Sequence, residues 1–196
     1  MSKSKPYWVW KMSERKIEVV PYNSQWPTLF QAEADNLAAI LGDEVVAIHH
    51  VGSTAVPHLP AKPIIDVLVE VRDLSRIDGF NGVLRQAGYL PQGELGVAGR
   101  RFFIKGDDVW RSHHIHIFPS GHPDITYLLT FRDYLMAHPD EAVAYGRLKQ
   151  TLAQQFPSDI QSYMAGKHDL IQTLSQKAQL WRDRFPVVIC AAPPNR

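Results

Sequence analysis

Cysteine is almost absent from this sequence, because Cys190 is the single one in 196 residues. An intrachain disulfide needs two cysteines, so the fold cannot depend on one, and we expect a reducing compartment. Apolar runs are short, and none approaches the roughly 20 residues of a membrane-spanning helix. The first 16 residues also lack the long apolar segment of a signal peptide. We therefore expect a cytoplasmic protein that does not bind a membrane.

A dominant charge of either sign is also lacking, since the formal net charge is +1. This near-neutral balance disfavours nucleic acid as a partner. Hydrophobic residues make up 45% of the chain, which is enough for a core. The length suits one compact domain. We predict an N-terminal extension over residues 1–16, one domain over 17–185 and a Pro-rich tail over 186–196.

Hydrophobic periodicity predicts strands and helices that alternate along the first part of the domain. The predicted strands cover residues 17–20, 45–50, 64–71, 100–105 and 111–118. The predicted helices cover residues 26–41, 74–87, 125–137, 140–155 and 160–184. The sequence therefore predicts an α+β fold, with a mixed sheet flanked by helices and a helical C-terminal part.

A turn and a strand form the first candidate site. Gly52 lets a phosphate approach backbone N–H groups and Ser53 adds a hydroxyl, although a Gly-Ser pair is also common in simple turns. Asp66 interrupts the apolar strand that follows, in the run PIIDVLVEV. Side chains alternate on a strand, so Asp66 lies opposite the apolar core face. It therefore faces either a functional cleft or solvent.

Histidines on the last predicted strand form the second candidate site. His114 and His116 share one face of that strand, with Cα atoms about 6.6 Å apart. Two histidines so placed can bind a metal or an anion or act as general bases, and the alternative is a structural role with ordinary hydrogen bonds. Lys62 lies in the loop LPAKP, where it either binds a phosphate or is a surface lysine. Of the adjacent Arg100 and Arg101, only one can face the cleft, and we assign Arg101 to ligand binding.

Four longer motifs, in order, resemble the GrpB-like family of bacterial proteins. They are HVGSTAVPHLPAKPIIDVLVEV, RSHHIHIF, FRDYLMAHPDEAVAYGRLK and YMAGKHDLIQTLSQKAQLW. The likeness covers residues 17–181, nearly the whole chain. The family is similar to a branch of the nucleotidyltransferase superfamily, whose pattern is a Gly-Gly or Gly-Ser turn followed by Asp-apolar-Asp/Glu on the next strand. A third carboxylate of that pattern lies on a later strand.

The chain departs from this pattern at the metal-binding positions. Gly52, Ser53 and Asp66 match, but Leu68 falls at the second carboxylate, and the later strand offers His114 and His116. Nucleotidyl transfer commonly uses two Mg²⁺ ions clamped by shared carboxylates. One aspartate with two histidines suits Zn²⁺, Mn²⁺ or Fe²⁺ better. The chain also has His58 where the family usually has glycine and Met136 where it usually has arginine.

The resemblance implies a nucleotidyltransferase-like protein that binds a nucleotide or another phosphorylated small molecule. In the catalytic version, the protein transfers a nucleotidyl group with a divalent metal such as Mg, Mn or Zn. Asp66, His114 and His116 would be catalytic and bind the metal, while Gly52, Ser53, Lys62 and Arg101 would bind the nucleotide. Two alternatives stay open, namely a non-catalytic binding or accessory module and a His/Asp metal site with other chemistry.

Overall fold

The computed structural model describes residues 16–107 and 110–184. Almost all of the predicted N-terminal extension and all of the predicted Pro-rich tail lie outside these residues, so both domain boundaries stay predictions. Among the described residues, no helix is long and apolar enough to cross a membrane.

A five-stranded mixed sheet forms the centre of the fold and confirms the predicted α+β class. Its strands are β1 (Val45–Val51), β2 (Ile65–Val71), β3 (Tyr89–Pro91), β4 (Arg101–Gly106) and β5 (Arg111–Pro119). They lie in the order β1-β2-β5-β4-β3, and β2 and β5 are parallel while the other neighbours are antiparallel. The short β3 was not predicted, because three residues are too few to show an alternating pattern.

One face of the sheet packs against helices from the first half of the chain. These helices are α1 (Trp26–Leu41), α2 (Leu74–Ile77) and α3 (Asn81–Gln86). Four apolar residues of β2 lie on this face, as the alternation predicted. They belong to a cluster of buried residues that includes Trp26, Leu37, Leu41, Ile65, Val67, Val69, Val71, Ile115 and Ile117. The single helix predicted over residues 74–87 was wrong. A 3₁₀ turn at Asp78–Phe80 separates α2 from α3, because Gly79 makes a continuous helix costly.

The opposite face of the sheet is covered by helices from the C-terminal part. These are α4 (Pro123–Ala137), α5 (Pro139–Gln155), α6 (Ile160–Gly166) and α7 (His168–Arg184). The prediction of one helix over residues 160–184 was wrong, because Lys167 separates α6 from α7 immediately after Gly166.

The predicted strand at residues 17–20 was also wrong. In this segment the structure has only an isolated antiparallel bridge, between Val20 and Ala61. Pro21 follows at once and has no N–H to donate, so a longer ladder cannot continue past it. Ile17 is buried instead among residues of α5 and α6.

Candidate functional site

Asp66 and two histidines meet on the face of the sheet that carries the C-terminal helices. The parallel register of β2 and β5 pairs Asp66 with His114. His114 Nδ1 donates to Asp66 Oδ1 at 3.2 Å, and His116 Nε2 lies 3.8 Å from the same oxygen. Burial alone would raise the pKa of Asp66, but the hydrogen bonds and charges of the two histidines outweigh it and hold that pKa well below its ordinary value. The three residues predicted to converge therefore do so, around an ionised carboxylate.

The Gly-Ser turn packs directly against this carboxylate. Gly52 has a φ of 70°, in the left-handed region, and a Cβ added to it would lie 2.4 Å from Asp66 Oδ2. Glycine is therefore required here both for the backbone conformation and for the close approach of the turn. Ser53 follows and begins a single 3₁₀ turn, Ser53–Ala55. Its hydroxyl points to the C-terminal helices.

Lys149 of α5 reaches that hydroxyl from a buried position. The residue is 2% exposed, and its Nζ donates to Ser53 Oγ at 2.8 Å. The ammonium also lies 4.5 Å from the centre of the Tyr145 ring. Burial lowers the pKa of Lys149 to about 7, helped by the positive charges of Lys167 and Lys62 and opposed by Asp66. This is a lysine whose charged form is destabilised by its surroundings.

Lys62 and Lys167 lie close to the same turn. Their ammonium groups are 5.7 and 5.2 Å from the centre of one aromatic ring, that of Tyr163. Burial lowers the pKa of Lys167, and the negative charge of Asp66 raises it in part. Lys62, predicted from its loop as a phosphate ligand, is therefore part of a group of three lysines. We call Lys62, Lys149 and Lys167 the lysine cluster.

Neither Lys149 nor Lys167 was among the site residues predicted from the sequence, although Lys149 had a signal that was missed. It lies on the buried stripe of α5, with Ala142, Tyr145, Gly146, Leu152 and Ala153. A lysine at such a position must either reach water or meet a polar group. The stripe packs close to the loop after the Gly-Ser turn, because a Cβ on Gly146 would lie 2.8 Å from Pro60. For Lys167 we see no comparable signal beyond the neighbouring Gly166.

Arg101 does not join the other predicted ligands. It lies opposite Ile117 on the core face of the sheet, and its Nε and Nη2 donate to Asp78 at 2.8 and 2.9 Å. The neighbouring Arg100 faces the other way, and its Nη1 lies 3.4 Å from His116 Nδ1. Because adjacent side chains on a strand point to opposite faces, only one arginine reaches the site, and it is Arg100.

The residues at the site do not fit a two-metal centre. Leu68, at the position of the second carboxylate, is fully buried in an apolar cluster with Val51, Phe118, Ile125 and Leu129. Arginine can only donate, so the contact from Arg100 makes His116 Nδ1 an acceptor and leaves the proton of His116 on Nε2, toward Asp66. Throughout residues 16–107 and 110–184, no group of three His, Cys, Asp or Glu side chains is arranged to hold a metal ion. The metal role of Asp66, His114 and His116 therefore stays a prediction.

A mixed sheet thus carries the Gly-Ser turn beside an aspartate near the start of the next strand. The family model described as GrpB protein matches residues 16–177, so this chain belongs to the GrpB family. This match confirms the resemblance to the GrpB-like family that was drawn from the motifs.

Individual relatives agree with this assignment. The chain is 44% identical over 169 residues to the UPF0157 protein YqkA of Bacillus subtilis, covering 86% of this chain and 49% of that protein. It is similar to the crystal structure of the conserved protein GrpB from Enterococcus faecalis, with a TM-score of 0.80, 38% identity and coverage of 84% of this chain and 99% of that one. It is also 27% identical over 197 residues to the dephospho-CoA kinase of Mycolicibacterium paratuberculosis, covering 88% of this chain and 48% of that protein. The chain thus spans about half the length of both curated relatives.

Proposed function

We propose that this protein binds the phosphate groups of a nucleotide or another phosphorylated small molecule between the Gly52-Ser53 turn and the lysine cluster. The observation that carries the proposal is Lys149, a buried cation that donates to Ser53 Oγ at 2.8 Å. Burying an ammonium group costs several kcal/mol unless an anion offsets it. A phosphate beside Ser53 would supply that anion.

The balance of charge around the turn supports an anionic ligand. Asp66 is the carboxylate whose charge favours the protonated forms of both Lys149 and Lys167. That carboxylate already accepts a hydrogen bond from His114 Nδ1. Burial lowers the pKa of Lys149, and repulsion from Lys167 and Lys62 adds to that effect. A ligand with two or more negative charges would relieve this repulsion, whereas a neutral ligand would not.

Metal-dependent nucleotidyl transfer is not part of the proposal. The turn and the lysines can hold phosphates without a metal, since lysine acts as a point charge for phosphate. Leu68 lies beneath α4 rather than beside the phosphate position, so a second carboxylate has no counterpart here. The non-catalytic binding module weighed from the sequence therefore agrees best with the site.

Calorimetric titration of the whole chain with tripolyphosphate, ATP and dephospho-CoA, each with and without Mg²⁺, tests the proposal. Dephospho-CoA is included because a relative is named as a dephospho-CoA kinase. We expect at least one of these compounds to bind without Mg²⁺. In Lys149→Met the affinity should fall by roughly 10- to 150-fold, because a charge-assisted hydrogen bond contributes about 1.5–3 kcal/mol.

Lys177→Met is the matched control for that variant. It removes the same charge from the exposed face of α7, where Lys177 pairs with Glu141. Affinity should stay within about twofold of the original protein, because an exposed ion pair contributes little. Equal losses in the two variants would show a general effect of net charge and refute the site, as would the absence of binding by all three compounds.

A further inference from the structure

A cavity of about 390 Å³ adjoins the candidate site. Its walls include Lys62 of the lysine cluster and His114, the partner of Asp66. The rest of its lining is largely apolar and includes Leu95, Phe102, Trp110 and Met164. This volume lies in the range of about 300–1,000 Å³ that is usual for small-molecule sites.

Several of the most exposed large apolar side chains of the described residues line this one cavity. Trp110 is 68% exposed, Leu95 58% and Met164 48%. Single exposed apolar residues are ordinary, but a group of them around a concave surface indicates a binding site. Leu95 also has a φ of 42°, which is strained for a residue with a Cβ. Its carbonyl accepts from Arg100 Nη2 at 2.9 Å, so the arginine that contacts His116 also holds this wall.

Two buried nitrogens on residues of the cavity wall lack a hydrogen-bond partner among the described residues. They are Arg111 Nε and His114 Nε2. Buried polar atoms without partners are rare and call for an explanation, such as a bound ligand. The Arg111 atom can only donate. His114 carries its proton on Nδ1, which donates to Asp66, so its Nε2 is an acceptor. A ligand that satisfies both offers an acceptor and a donor.

Lys62 gives the orientation of such a ligand. It belongs to the lysine cluster and also lines the cavity. A molecule with phosphates at the cluster can therefore extend past Lys62 into the cavity that Trp110 also lines. A heteroaromatic ring meets both requirements, because it stacks on tryptophan and presents a donor and an acceptor at its edge.

We propose that this cavity binds the base of a nucleotide whose phosphates are held by the lysine cluster, with Trp110 as the stacking surface. The inference rests on the proposed function and narrows its ligand from phosphorylated small molecules in general to nucleotides. Arg111 Nε and His114 Nε2 then contact the edge of the base, and the affinity depends on the base as well as on the phosphates.

Calorimetry on the whole chain with tripolyphosphate, the four nucleoside triphosphates and the four nucleosides tests this inference. We expect at least one nucleoside triphosphate to bind roughly 10- to 100-fold more tightly than tripolyphosphate, as base stacking on an aromatic side chain allows. Trp110→Ala should remove most of that difference and leave the affinity for tripolyphosphate unchanged. Trp110 is largely exposed, so the variant should keep its melting temperature.

Leu180→Ala is the control, because Leu180 is 61% exposed on α7 and does not line the cavity. It should leave every affinity unchanged. Tight binding of tripolyphosphate with no gain from any base would overturn the base site and leave the phosphate site standing. If no compound with phosphates binds, binding of a nucleoside that is weakened in Trp110→Ala would support the base site alone. If no nucleoside binds either, both the base site and the phosphate site are overturned.

Discussion

The two faces of the sheet differ in the direct contacts of a buried charged side chain. On the face covered by α1, the buried Glu33 accepts from Lys105 Nζ at 2.7 Å, so the negative charge has a cation beside it. On the face covered by the C-terminal helices, the buried Lys149 has a hydroxyl and an aromatic ring as its direct contacts. Its nearest charged neighbours include two further lysines.

This comparison indicates a structural role for Glu33 and a ligand-binding role for Lys149. A buried pair can stabilise the fold, or at least not oppose it, when its partners satisfy each other. A group of like charges around one turn opposes the folded state and is retained more readily where it binds something. The face with the balanced pair therefore serves the core, and the face with the lysines is where we propose the ligand.

The largest expected effect comes from forcing a charge into the apolar part of the second face. Leu68→Asp would bury a carboxylate beneath α4, so we expect a loss above about 4 kcal/mol in the free energy of unfolding, measured by urea denaturation. Leu68→Ala should cost about 2–5 kcal/mol, because it leaves only a cavity. If Leu68→Asp is instead stable and binds Mn²⁺, residue 68 faces the cleft, and the hypothesis of a two-metal site is supported again.

A matched pair of variants should change stability in opposite directions. Glu33→Gln leaves Lys105 without its anion, so it should lower the free energy of unfolding by about 1–3 kcal/mol without changing ligand affinity. Lys149→Met removes an unfavourable buried charge, so in the absence of ligand it should raise the free energy of unfolding by about 1–2 kcal/mol at pH 6. Urea denaturation measures both. A loss of stability in Lys149→Met would mean that Lys149 is a structural residue.

The gain in Lys149→Met should depend on pH in a definite direction. The pKa of Lys149 is about 7 in the folded protein, against its ordinary value of 10.5. Below pH 7 both the folded and unfolded chains carry the proton, so the cost of the buried charge is fully present. Between pH 7 and pH 10.5 the unfolded chain binds more protons than the folded chain, so the free energy of unfolding of the original protein rises with pH. The advantage of Lys149→Met should therefore shrink from pH 6 to pH 9.

The smallest expected effect is a proton taken up with the ligand. A phosphate beside Lys149 favours the ammonium form and raises its pKa, so binding at pH 8 should bring up to about one proton from the buffer. Calorimetry in Tris and in HEPES should then give different apparent enthalpies of binding. Lys177→Met should keep that difference and Lys149→Met should lose most of it. An enthalpy independent of the buffer would mean that Lys149 does not meet the anion.

Local patterns predicted the parts of the site that lie on strands. The alternation in β2 placed Asp66 opposite the core face, and the same rule put His114 and His116 on one side of β5. The parallel register of these strands then brought the three together. The alternation rule could not show which of Arg100 and Arg101 faces the site, because that depends on the register in which β4 pairs with β5. A shift of one residue in this register would exchange the faces of the two arginines.

The helical part was less predictable, for a physical reason. Periodicity identified helical stretches, but it could not show that the chain breaks at Lys167. It also could not show which surface a lysine on a helix meets, since a long side chain can extend to water or into a site. Lys149 was therefore not predicted as a site residue, despite its place on the buried stripe of α5.

The sequence by itself determined the family, the α+β class and the Gly52-Ser53 turn facing Asp66, because these depend on contiguous motifs and on the period of a strand. Tertiary structure alone decided that Lys149 lies against Ser53, 96 positions away in the chain. It also decided that Leu68 lies under α4 instead of in a metal site. Both depend on how α4 and α5 pack on the sheet, and packing between distant segments leaves no periodic signal in either one.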